Sequence, residues 1–116
     1  MGRAEIVYTI RLSNPLLLRR YSRDDILEYT YELDGGGLYF LFDREELVYV
    51  GQSSHLFDRI HNHLHSDKQF DSIAIIPCSD QYVREIAEML YIKEFNPRYN
   101  KQFNNKSDLW RREVIV

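Results

Sequence analysis

The sequence predicts an α+β fold: a small three-stranded antiparallel sheet, made of a hairpin plus a third strand, flanked by helices and preceded by an N-terminal extension. Three observations carry this expectation. Two short β- and aromatic-rich runs, Leu38 to Phe42 and Leu47 to Val50, are separated only by the polar stretch Asp43 to Glu46. A third apolar run, Ser72 to Pro77, stands between two segments of helical period. The consecutive glycines Gly35-Gly36-Gly37 divide an N-terminal third from this pattern. With 116 residues, 44% of them apolar, the chain makes one domain. Folding at this size hides roughly two-thirds of the unfolded surface.

The N-terminal third reads as an extension over residues 1–34, packed on the core. Glu5 to Leu12 is β-rich, with Ile6, Tyr8, Ile10 and Leu12 on one face. Asn14-Pro15 has the form of a helix cap followed by Pro at the first helical position, ahead of Leu16 to Tyr21. Ser22 with Asp25 resembles a capping box. Leu27, Tyr29, Tyr31 and Leu33 alternate with polar residues, a strand pattern.

The hairpin follows. If Asp43, Arg44 and Glu45 form a three-residue loop, Tyr39 falls opposite Tyr49 and Leu41 opposite Leu47. Leu38, Phe40, Val48 and Val50 then share the other, apolar face. A loop of even length would put the tyrosines on opposite faces, because a one-residue slip inverts a strand. The cleaner sorting favours the odd loop.

Ser53 or Ser54 caps a helix running to about His65, with Phe57, Ile60 and Leu64 as its buried stripe. After the strand Ser72 to Pro77, a second helix starts at Asp80 or Gln81 and ends before Asn96-Pro97. Its main stripe is Val83, Ile86, Ala87 and Leu90, and a second is Glu88, Ile92 and Phe95. Two buried stripes would place this helix between other elements.

Composition excludes several classes. No apolar run is long enough to span a membrane. Cys78 is the only cysteine, so no intrachain disulfide forms, and a reducing, cytoplasmic setting is expected. The net charge of −3 lacks the basic balance of a general nucleic-acid binder. Charge is uneven, however: an acidic body is followed by Lys93, Arg98, Lys101, Lys106, Arg111 and Arg112. This basic stretch, including a tail over 101–116, is either a phosphate-contacting surface or a solvated end.

Several residues could carry chemistry. Tyr39 and Tyr49 present two phenols to one face, or simply pack as a cross-strand aromatic pair. Arg59 and His63, four apart, are helical neighbours. A guanidinium there suits a phosphate, and an imidazole can shuttle a proton; a solvent-facing pair is the alternative. Glu88 heads an apolar stripe and needs a partner, either a hard divalent cation or an ion pair with Arg59 or Arg84. His61, His63 and His65 do not make a zinc site, because His63 points away from the other two on a helix.

In combination these motifs resemble the GIY-YIG nuclease superfamily. Gly37-Leu38-Tyr39 matches the first name motif with Leu for Ile, and Tyr49-Val50-Gly51 the second with Val for Ile. Arg59 follows Gly51 by eight residues, and His63 lies one helical turn further. Glu88 opens Glu-Met-Leu-Tyr-Ile-Lys-Glu-Phe-Asn-Pro-Arg-Tyr-Asn, which resembles the family's glutamate helix and its closing asparagine, Asn100. The resemblance covers about residues 35–100. The hairpin is slightly tight, and residues 1–34 match nothing in the family core.

The resemblance implies a metal-dependent endonuclease that hydrolyses DNA phosphodiester bonds using one ion, Mg2+ (or Mn2+), held by Glu88. It implies Tyr39 as general base, Tyr49 and His63 orienting water or removing its proton, Arg59 stabilising phosphate charge, and Asn100 ordering the site. The partner implied is nucleic acid, most readily DNA, with room for a homodimer or a larger nuclease or repair complex. A bacterial or phage cytoplasm fits. The competing expectation is a non-cleaving nucleic-acid-binding or interaction subunit.

Overall fold

The structure, a computed structural model, describes residues 11–100. The strands are β1 (Tyr21–Ser22), β2 (Gly37–Asp43), β3 (Glu46–Ser53) and β4 (Ser72–Pro77), and the helices are α1 (Leu56–Leu64) and α2 (Gln81–Phe95). They form an α+β fold around one antiparallel sheet of order β1-β4-β2-β3. The sheet has four strands rather than three. The addition is short: Tyr21 pairs with Ile73 and Ser22 with Ser72, which covers the outer edge of β4.

The sheet is buried on both faces. Tyr39, Leu41, Val48 and Ile73 pack with Leu56 and Ile60 of α1 and with Ile26, Leu33 and Phe70 from the connections. Leu38, Phe40, Phe42, Leu47, Val50 and Ala74 pack with Ala87, Tyr91 and Ile92 of α2. Continuous burial along β2 explains its unbroken apolar run.

The hairpin departs from the three-residue loop. Asp43 pairs with Glu46, so the loop is Arg44-Glu45, with Arg44 at φ 58°. The odd residue sits instead in a β-bulge: Phe42 pairs with Leu47 but Leu41 with Tyr49, leaving Val48 extra. Tyr39 consequently faces Gly51 across the ladder, and Tyr49 is its diagonal neighbour. The parity argument holds, because loop and bulge together keep both tyrosines on one face. Leu47 and Val48 exchange sides relative to expectation.

The N-terminal expectations fare less well. Glu5 to Ile10 lie outside the described residues, and Arg11 and Leu12 form no strand. Asn14 does cap, accepting from the Leu16 amide at 3.0 Å, but only a 3₁₀ turn over Pro15–Leu17 follows. The chain then runs on to β1 and places the Arg20 guanidinium 3.9 Å from the Phe42 ring centroid. Ser22 accepts from the Asp24 amide, and Asp25 makes no cap bond. The alternation from Leu27 to Leu33 is not a strand. A 3₁₀ turn spans Ile26–Glu28, Tyr31 is 89% exposed, and Ile26 and Leu33 are the buried anchors. Arg23 fastens this segment by donating to the carbonyls of Leu64, Lys68 and Phe70.

Both helices are rotated slightly from expectation. Ser53 remains in β3 and its hydroxyl accepts from the His55 amide, so α1 starts later. Leu56, Ile60 and His63 are its buried residues, while Phe57 is exposed. Asp80 caps α2 by accepting from Val83, and Asn96 ends it in the left-handed region. Arg84, Ala87, Tyr91 and Ile92 are buried, and Leu90 faces solvent. Among the described residues the helix covers one sheet face and is not enclosed on two sides. Beyond it, Pro97 and a 3₁₀ turn at Arg98–Asn100 return the chain to β3. Among the described residues no helix is long and apolar enough to cross a membrane.

Candidate active site

The site forms where the edge strand β3 nears its end at Gly51 and Gln52. Tyr39 projects from β2 towards the α1 face and is fully buried. Its ring lies against Gly51: a Cβ there would come within 2.3 Å of both Cζ and Oη of Tyr39. Glycine at this position is therefore a requirement of space. Tyr49 lies beside it, with ring centroids 6.0 Å apart. His63, from α1, completes an aromatic cluster, 5.3 Å from Tyr39 and 4.9 Å from Tyr49 between centroids. The Tyr39 hydroxyl and His63 Nε2 are hydrogen-bonded at 2.8 Å.

Burial sets the electrostatics. It raises the Tyr39 phenol well above its ordinary value, and the neighbouring Tyr49 adds to this; Arg59 opposes both without reversing them. Tyr49 is also raised, chiefly by burial. His63 is lowered to about 4, first by burial and then by the charges of Lys68 and Arg59. At neutral pH the pair is a protonated phenol donating to a neutral imidazole, whose Nε2 is then the acceptor.

Arg59 lies one turn before His63 on the exposed side of α1. Among the described residues it makes no hydrogen bond or ion pair with another side chain. It lines a cleft of about 330 Å³ with Ser53, Ser54, His55, Asp58 and Asn62.

Glu88 reaches the site from α2, on the other side of the sheet. Its carboxyl is pushed up to about 7, first by burial, with Glu85 adding, and against the Gln52 backbone amide and Arg59. Its charge in turn raises both phenols, which places it within electrostatic reach of them. Among the described residues it forms no salt bridge, to Arg59, to Arg84 or to any other cation. A half-buried carboxylate lacking a cation partner suits a hard divalent ion that keeps most of its water. No cluster of three or more His, Cys, Asp or Glu occurs among the described residues, so Glu88 would be the principal protein ligand. His61 and His65 pack on each other with ring centroids 4.7 Å apart, while His63 turns inward to Tyr39.

Asn100 is only 1% exposed. Its Oδ1 accepts from the Val50 amide at 2.9 Å and its Nδ2 donates to the Val50 carbonyl at 3.1 Å. It clamps β3 between Tyr49 and Gly51 and does not open onto the cleft.

Two neighbours escape a reading of the motifs. Lys68 places its ammonium 5.1 Å from the Tyr49 ring centroid. Arg84 enters the sequence argument only as an ion-pair partner for Glu88, whereas its guanidinium donates to Gln52 Oε1 and to the Cys78 carbonyl. Lys68 lies on the α1–β4 connection, where no periodicity signals direction.

The sheet order and the two helices on its opposite faces make this a GIY-YIG-like fold. Solved structures of the GIY-YIG N-terminal endonuclease domain of UvrC from Thermotoga maritima match it. The magnesium-bound domain has a TM-score of 0.55 at 20% identity, covering 66% of this chain and 97% of that one. A tyrosine-to-phenylalanine point mutant with its catalytic divalent cation gives 0.55 at 18% identity, with the same coverage. An asparagine-to-alanine mutant gives 0.54 at 19%, covering 65% and 94%. No family model matches the chain, and no curated protein matches it in sequence. The likeness is one of fold.

Proposed function

We propose that this chain is a metal-dependent endonuclease that hydrolyses DNA phosphodiester bonds by a one-metal mechanism with Tyr39 as general base. The observation that carries the reading is the Tyr39–His63 hydrogen bond beside Gly51, with the carboxylate of Glu88 unpaired nearby. The magnesium in the UvrC domain supports Mg2+ (or Mn2+) as the ion. DNA as substrate rests on the family resemblance of the motifs.

Glu88 would hold the ion, which when bound supplies Lewis-acid stabilisation of charge on the phosphate. Arg59, whose side chain makes no hydrogen bond or ion pair among the described residues, binds non-bridging oxygens, a contact worth about 3 kcal/mol in related transition states. Burial keeps Tyr39 protonated, so it does not act as a free phenolate. It accepts the proton of the attacking water as it passes its own to His63 Nε2, and the imidazolium holds the charge. A bound phosphate anion favours that imidazolium and offsets part of the burial that depresses His63. Tyr49, beside Lys68, orients the water. Asn100 keeps Val50, and with it Tyr49 and Gly51, in register.

The test is cleavage of single-stranded, duplex, flapped and branched DNA alongside RNA, with Mg2+, Mn2+ or chelator. Cleavage that needs metal and disappears in Glu88→Ala is expected. Equal products from native and Glu88→Ala protein would overturn the reading, as would the absence of cleavage on every substrate.

A further inference from the structure

We propose that the pocket between Arg59 and Arg84 is a second phosphate subsite, holding the phosphodiester next to the one that is cleaved. The position of that phosphate along the strand rests on the nuclease reading; the affinity of the pocket for a phosphate does not.

Arg84 is 4% exposed. A guanidinium stays charged in a protein, and burying that charge without a counter-ion is unfavourable. Yet its partners are neutral: Nε donates to Gln52 Oε1 at 3.1 Å and Nη1 to the Cys78 carbonyl at 3.0 Å. Among the described residues no carboxylate lies within ion-pair distance of it. The two bonds fix the plane of the fork and leave further N–H groups unused. Space for it is provided by Gly36, where a Cβ would sit 2.7 Å from Nη1.

The fork borders a pocket of about 180 Å³ lined also by Gln52, Ser53, Ser54, Arg59 and Gln81. Arg59 brings a second guanidinium that, among the described residues, has no ion-pair partner. Gln81 is the first residue of α2, so the positive end of a fifteen-residue helix adds potential of the same sign. The Asp80 carboxylate at that end is turned to the Val83 amide. Hydroxyls and amides supply the remaining donors. Two guanidinium groups, one of them buried, thus converge on one pocket rich in donors.

Its place in the fold selects the ligand. Glu88 follows Arg84 by four residues on the same side of α2, about 6 Å along the axis. That step is of the order of the spacing between successive phosphates of one strand. Arg59 lines the Arg84 pocket and lies within electrostatic reach of Glu88, so a strand can run from the Glu88 carboxylate to the Arg84 fork. The contact positions the strand and carries no sequence information.

The test has two arms. In ¹⁵N-resolved spectra of the wild-type protein without metal, inorganic phosphate should shift the Arg84 Nε–H and the Ser53 and Ser54 amides, and a short single-stranded oligonucleotide should do so at far lower concentration. In a Glu88→Gln background, Arg84→Gln should weaken oligonucleotide binding about tenfold and reduce the log–log salt slope by about 1, with Arg84→Lys in between. Unmoved Arg84 and Ser53 signals, or an unchanged salt slope in folded Arg84→Gln, would overturn the proposal. If Arg84→Gln does not fold, the spectra of the wild-type protein decide alone. Phosphate binding without any cleavage would sink the nuclease reading and leave the subsite standing.

Discussion

The Tyr39 hydroxyl and His63 Nε2 meet at 2.8 Å, joining the second strand to the first helix through one buried hydrogen bond. Its direction, phenol to neutral imidazole, follows from burial acting on both groups. If the bond is a proton path, His63→Ala should lower kcat about 100-fold with little change in KM, and Tyr39→Phe should lower it at least as far. Single-turnover cleavage at saturating DNA measures both. A His63→Ala enzyme with native kcat would remove the path.

Two shifted groups give opposing pH dependences. His63 is protonated near 6.5 in the unfolded chain and only near about 4 in the folded one. Between these values the unfolded state holds more protons, so stability rises with pH across that window, by at most about 3 kcal/mol, and is level above it. Glu88 runs the other way: its carboxyl goes from 4.5 to about 7, the folded state holds more protons, and stability falls as pH rises through that window. With chelator present, urea midpoints between pH 4.5 and 6.5 should be nearly flat for the native protein. His63→Gln should leave a falling profile and Glu88→Gln a rising one.

Gly51 has no room for a side chain. A Cβ at 2.3 Å from the Tyr39 ring forces the phenol or the edge strand to move. Gly51→Ala should cost about 1–3 kcal/mol in chemical denaturation and abolish cleavage. Adding Tyr39→Leu should recover stability without recovering activity, which identifies the phenol as the clashing group.

Asn100 acts on the backbone alone. Asn100→Ala strips the Val50 amide and carbonyl of their partners, at about 1–3 kcal/mol for each buried group left unsatisfied. Thermal denaturation should show the loss. Amide exchange should speed up at Val50 and Gly51 before it does in the centre of the sheet.

Legibility in the sequence varied with how local the determinants are. Ser72–Pro77 and Gln81–Phe95 have strong period and clear punctuation, and their bounds agree with expectation. That Tyr39 and Tyr49 share a face follows from parity. Parity cannot tell a long loop from a bulge, and the choice fell to the packing of Leu47 and Val48 on opposite faces. The first third was misread because long-range contacts organise it. Arg23 bonds to the carbonyls of Leu64 and Phe70, and Tyr91 donates to the Ser13 carbonyl, none of which leaves a periodic trace. The candidate site residues within motifs are named from spacing and from the family resemblance. Lys68 and Arg84 are not, because their value depends on which turns face each other after folding.

The extra residue at Val48 has a consequence for how this hairpin can vary. Deleting one residue from Arg44-Glu45, or straightening the bulge, would swing Tyr49 under the second helix and push a hydroxyl into an apolar layer. A one-residue deletion between the two tyrosines therefore keeps both phenols on one face only where the bulge is lost with it.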